Sequence, residues 1–175
     1  MPVFSTKFLT RISADIFSAA GMREDEARIV AKELVEANCA GHDSHGVIRV
    51  AQYLDQIAAG DIAPDAEVEI VRETPIIAVL DAHWGFGQVA MSRGVELGLA
   101  KAKASGMATI AVHRANHVGR LGSYVEHIAR ENVVFSSMAR RPVAWPLGAG
   151  ARRVTALIRW LSPSRPERAS RWCSI

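Results

Sequence analysis

His42, Asp43, Ser44, His45 and Arg49 bring two imidazoles, a carboxylate, a hydroxyl and a guanidinium together in one short run. Arginine offers a planar pair of donors to a carboxylate. Histidine exchanges protons near neutral pH. A helix over residues 45–59, capped by Ser44 or Asp43, would set His45 and Arg49 at i and i+4 on one face. Its free N–H groups and positive dipole end would reinforce a carboxylate site. The pair suits a 2-keto or 2-hydroxy acid. Arg49 would hold the carboxylate, and His45 would exchange the proton at oxygen while a hydride moves at carbon. The same spacing also describes a capped surface helix with an incidental histidine. A hydrolase built on Ser44 and His45 is disfavoured: adjacent residues rarely face each other as nucleophile and base, and no nucleophile elbow is present.

Asn116-His117-Val118-Gly119-Arg120-Leu121-Gly122-Ser123-Tyr124 follows a strand pattern and opens a helix pattern. A polar turn between strand and helix is a common ligand position in α/β proteins. The glycine spacing is G-x-x-G, not the dinucleotide fingerprint. A tight turn in which Gly119 and Gly122 serve packing fits as well.

Asp81 to Gly87 has the make-up of a ligand loop, but a strand-to-helix connection whose aromatics pack on the core is the favoured reading. His113 and His127 read as structural or solvated, and Cys39 as a small core residue. His42 and His45 lack the cysteines or carboxylates that would complete a metal site, so no metal is expected. Cys39 and Cys173 do not make a disulfide framework.

Around these residues lies an ordinary globular composition, 49% hydrophobic and 22% charged over 175 residues. No apolar run has membrane-helix length, and no signal-peptide pattern opens the chain. A reducing cytoplasm is the expected location. The formal charge is +3, but it is unevenly spread. From Arg152 onward six arginines face one acid, Glu167, so the preceding body is mildly acidic. A basic-tailed nucleic-acid module is the competing reading. Its arginines lack aromatic platforms or a helical basic face, so no nucleic-acid or membrane partner is expected.

The elements that must position the site begin with three helices. One is capped by Ser5 and runs to about Ala20, with Phe8, Ile12, Ile16 and Ala19 on one face. A second spans about 24–40, with acids in its first turn. A third spans about 45–59. Strands follow at 68–71 and 76–80, a long helix at 87–105, a buried strand at 108–112, a helix at 119–130 and a strand at 133–136. Residues 142–150 read as a loop. The order predicts a helical lobe over 1–62 leading into an α/β domain over 63–150. A basic tail follows over 151–175.

Four motifs in register resemble the type 2 malate/L-lactate dehydrogenase family. They are D-S-H-G-V-x-R-x-x-x-Y (Asp43 to Tyr53), V-L-D-A-x-x-G-x-G (Val79 to Gly87), A-x-x-x-G-M-A-x-I-A-V (Ala102 to Val112) and N-H-x-G-R-x-G-x-Y (Asn116 to Tyr124). The resemblance implies an α/β fold: a helical N-terminal lobe leading into part of a non-Rossmann, mainly antiparallel cofactor domain. It implies hydride transfer between NAD or NADP and a small 2-keto or 2-hydroxy acid, in a homodimer. It implies His45, His117 and Arg49 as catalytic residues. Ser44, Arg49 and Tyr53 would be substrate contacts. Arg120 and Gly119 are the weaker cofactor contacts.

The family is roughly twice as long, so the resemblance also implies a truncated chain. Its further motifs are absent after Gly150. Codon degeneracy permits G-N-x-P-Y across Arg153 to Leu157 in a shifted frame, and V-V-L-D across Trp172 to Ile175 in that same frame. A frameshift near residues 138–152 is therefore expected. So are a disordered tail, exposed apolar surface, self-association and impaired activity. An inactive fragment is the companion expectation.

Overall fold

The computed structural model describes residues 4–140 and 154–157. They fall in two compact units, Met1–Tyr124 and Val125–Ile175. Among the described residues, no helix is long and apolar enough to cross a membrane.

The first helix, α1 (Thr6–Ala19), starts where expected: the Ser5 hydroxyl accepts the Phe8 N–H. Its covered face is not the expected one. Ser13, Ala14 and Phe17 are buried, whereas Phe8 and Ile12 stay 39% and 41% exposed. Periodicity identifies an apolar stripe but not which side its neighbour covers. α2 (Glu24–Cys39) packs against α1 and buries Val30, Ala31, Leu34 and Val35. Glu24, Asp25 and Glu26 sit favourably at its positive end. Cys39 corrects a second expectation: it is exposed. It falls one turn past Val35, where the helix ends, and no described residue covers it.

The expected third helix is broken. Asp43–His45 form a 3-10 turn, Gly46 is extended, and α3 begins only at Arg49 (Arg49–Ala58). The cause is Asn38 at the end of α2. Its amide donates to the Asp43 carboxylate (2.6 Å) and accepts the Val47 N–H (2.8 Å). A Cβ at position 46 would collide with that amide.

β1 (Glu69–Glu73) pairs antiparallel with β2 (Ile77–Asp81). β2 pairs parallel with β3 (Thr109–His113) after a crossover through α4 (Gly87–Ser105). The result is a small mixed sheet ordered β1-β2-β3. Gly106, with φ of +81°, ends α4 in the left-handed region. β3 is not the buried strand expected. Only Ile110 and Val112, on its α4 side, are partly covered. The core joins helices and sheet, with Phe17, Val30, Leu34, Tyr53, Ile62, Leu80 and Phe86 at its centre. Phe17, Tyr53 and Phe86 pack ring on ring at 5.5–6.3 Å.

α5 (Leu121–Arg130) carries the chain out of the first unit. In the second unit, β4 (Ser137–Arg140) pairs antiparallel with β5 (Val154–Leu157). β4 comes four residues later than expected. The N–H groups of Glu131, Asn132 and Val133 fold back onto the helix end, and Asn132 has φ of +57°. The expected loop at 142–150 and the remainder of the basic tail, 151–153 and 158–175, lie outside the described residues.

Candidate active site

Three segments of the first unit converge: the 43–49 turn, the buried side of α3, and the loop from β3 to α5. His45 and His117 come within 5.2 Å, centroid to centroid. Tyr53 bonds His117 Nδ1 at 2.7 Å, though 64 positions separate them. The fold therefore unites His45, Tyr53 and His117, with Arg49 on the first turn of the same short helix as Tyr53.

The 43–49 turn differs from its sequence reading. His45 and Arg49 do not share a helix face. The N–H groups of Arg49 and Val50 are taken by the carbonyls of Gly46 and Val47, so they do not form the expected carboxylate cradle. Neither Ser44 nor Asp43 caps α3; its N-cap is Ile48, which makes no side-chain bond. Arg49 is steered by its own neighbours, Nε to the Ser44 carbonyl and Nη1 to Gln52, each at 2.6 Å. Nη2 makes no hydrogen bond among the described residues and is the nitrogen left for a ligand. Ser44 bonds His45 Nδ1 at 3.0 Å. Partial burial, then Arg49 and His42, lower the His45 pKa, so its ring is neutral at pH 7.

His117 sits in a stiffer corner. The Tyr53 hydroxyl is reached by Nε2 of Gln88 at 2.9 Å. Burial raises the Tyr53 pKa, so the phenol keeps its proton. The Gly119 N–H also points at His117 Nδ1, at 3.3 Å, and Gly119 has φ of +76°. Below the ring, α4 starts hard against the loop. A Cβ on Gly87 would lie 2.6 Å from the His117 carbonyl and closer still to that of Asn116. The Asn116 amide donates to the carbonyls of Trp84 (2.6 Å) and Asp61 (3.1 Å).

The neighbouring 81–86 loop is braced by ions. Asp81 is buried and bonded twice by Arg114. Those bonds hold its carboxyl well below the usual carboxylate range. His83 bridges Arg114 and Glu69. Of the two aromatics expected on the core, Phe86 is buried, but Trp84 is 56% exposed at φ of +62°.

Gln88 and Asn38 carry geometry that no spacing rule singled out, whereas Gly87 closes the Val79 to Gly87 motif without its spacing showing why a methyl group is excluded there. Gln88 sits in an otherwise unremarkable helix start, and Asn38 ends a helix. The D-S-H-G run that follows it reads as the cap of a helix, which gives no sign that Asn38 holds a turn there.

The weaker cofactor candidates do not form a dinucleotide cradle. Arg120 is buried, with its guanidinium folded over Gly122. The open face of Gly119 is filled by Gln88 at 3.4 Å. Gly119 and Arg120 therefore offer no open cradle for a nicotinamide dinucleotide. No cluster among them is arranged to hold a metal ion.

An imidazole pair beside a half-committed arginine is chemically able to move a proton next to a carboxylate. The pattern of the Malate/L-lactate dehydrogenase family matches residues 4–156, and the chain belongs to that family. It is 37% identical over 140 residues to the malate dehydrogenase of Pyrococcus abyssi, across 79% of this chain and 38% of that one. It is 34% identical over 146 residues to hydroxycarboxylate dehydrogenase B of Escherichia coli O157:H7, across 82% and 40%. The solved malate dehydrogenase of Pyrococcus horikoshii superposes with a TM-score of 0.76 at 33% identity, covering 84% of this chain and 42% of that structure. The chain thus spans about two fifths of the length of these relatives.

Proposed function

We propose that the chain carries the proton- and carboxylate-handling part of an oxidoreductase that interconverts a small 2-hydroxy acid and its 2-keto acid with NAD or NADP. The observation that carries this is the approach of His45 to His117, with Arg49 at the mouth of the same turn. In the oxidative direction Arg49 pairs with the substrate carboxylate through Nη2. His45, neutral at pH 7, takes the hydroxyl proton at Nε2, which makes no hydrogen bond among the described residues. Ser44 lines the substrate, whereas Tyr53, buried with its hydroxyl taken by His117 and Gln88, stands behind His117. The dinucleotide needs contacts beyond Gly119 and Arg120, which are at most the edge of its site.

In this reading residues 1–62 supply the turn and 63–150 the His117 loop, and the working form is a cytoplasmic homodimer. Activity of this chain alone is expected to be impaired. The reading includes a frameshift between residues 138 and 152, which sequencing of the DNA across that stretch would expose as an extra or missing base.

The test is oxidation of NADH and NADPH by the purified chain with a panel of 2-keto acids, beside His45→Ala. Slow turnover that disappears in the variant supports the assignment. Turnover indifferent to His45→Ala overturns it.

A further inference from the structure

Of the two hydrogen bonds described at His117 Nδ1, one has a donor that cannot turn round. The backbone N–H of Gly119 points at Nδ1 from 3.3 Å, a long bond that favours a lone pair there without fixing it. With the lone pair there, the Tyr53 hydroxyl, 2.7 Å from the same nitrogen, donates to it as well. With its proton committed, the Tyr53 oxygen can only accept from Gln88, which requires the NH2 end of that amide to face it, at 2.9 Å. We infer that Gln88 is a positioning residue: by donating to Tyr53 it turns the hydroxyl proton onto Nδ1 and holds neutral His117 in its Nε2–H form.

A second observation points the same way. Gln88 is 0% exposed, and its Oε1 makes no hydrogen bond among the described residues. A buried carbonyl oxygen without a donor is destabilising, and an apolar side chain of similar length would avoid it. Packing alone does not account for glutamine at this position, whereas a donor aimed at Tyr53 does.

The chemical consequence rests on the function proposed above. A neutral ring with its proton on Nε2 cannot accept another there. His117 then donates a hydrogen bond to the C2 oxygen of the substrate, and His45 takes the hydroxyl proton. The two histidines are not interchangeable bases.

The ring form can be read without turnover, so an inactive chain leaves the inference open to test. In the 15N-labelled protein at alkaline pH, protonated and bare imidazole nitrogens resonate far apart, and the His117 pair is assigned by its loss in His117→Asn. The wild type is expected to show Nε2–H; a dominant Nδ1–H signal overturns the inference. Gln88→Glu, once ionised, accepts where glutamine donated and draws the Tyr53 proton away. The His117 proton should then move to Nδ1. A folded Gln88→Glu protein that keeps Nε2–H throughout overturns the role of Gln88. Gln88→Met covers the case in which the glutamate variant does not fold. It should melt close to wild type while its ring form becomes mixed; an unchanged ring form again overturns the inference.

Discussion

The two histidines of the site are held in opposite ways. His117 receives two hydrogen bonds on one nitrogen, from a phenol seated among Phe17 and Phe86 and from a backbone N–H. Its loop lies against the first turn of α4 with no room for a methyl group at Gly87. His45 has the hydroxyl of its own neighbour, on a half-open turn hung from Asn38. One histidine is set before any ligand arrives. In the function proposed, the other keeps freedom to settle once a carboxylate reaches Arg49. A site that pre-orients one group and leaves the other adjustable can close on its substrate without losing the geometry of the first.

The largest effect should come from disturbing the stiff side. Gly87→Ala drives a methyl group into two backbone carbonyls, which cannot swing aside as a side chain would. We expect a loss of about 3 kcal/mol, read as a lower urea midpoint with an unchanged slope. An alanine variant as stable as wild type would mean that the α4 start and the His117 loop are not in contact. Tyr53→Phe should follow at about 1–3 kcal/mol, because it leaves buried Gln88 without its acceptor. If Tyr53→Phe proves neutral in the same titration, the phenol is not anchored as the geometry requires.

The contrast between the two sides also explains what could be read from the sequence. Element types were legible wherever a cap or a strong period marks them: Ser5, the acids opening α2, and Gly106 closing α4 all did so. The four motifs led to the family, and His45, Arg49, Tyr53 and His117 do gather. The local geometry was not legible. The pattern from residue 45 to 59 is helical, yet a single amide from Asn38 splits it and removes the i, i+4 pairing. The buried face of α1 was hidden because Phe8, Ile12 and Ile16 form the better stripe, while small Ser13 and Ala14 allow the close approach. Gln88 was invisible because its role exists only across α3, α4 and the loop after β3. Long-range pairings of this kind have no period to find.

Acid should sharpen the comparison next. The folded His45 has a lowered pKa, so the unfolded chain binds more protons once pH drops through the ordinary value of 6.5. Stability should therefore fall on acidification through that range. It should fall again below 3.8, where Asp81 loses its advantage beside Arg114. Thermal melts across pH read both steps, and His45→Gln should remove the first and spare the second. A first step that survives in His45→Gln would assign it to another group.

The smallest effect lies on the adjustable side. Ser44 is exposed and its hydroxyl only touches Nδ1 of His45, so Ser44→Ala should alter stability by no more than about 0.5 kcal/mol. Its use is diagnostic. A hydroxyl both donates and accepts, so it does not choose between the two neutral forms of an imidazole. His45 in the wild type should accordingly give averaged ring nitrogen signals, where His117 gives one resolved form. Ser44→Ala should shift the His45 signals slightly and those of His117 not at all. Equal shifts in both rings would show that the histidines respond as one unit, and the division into a set side and a settling side would fail.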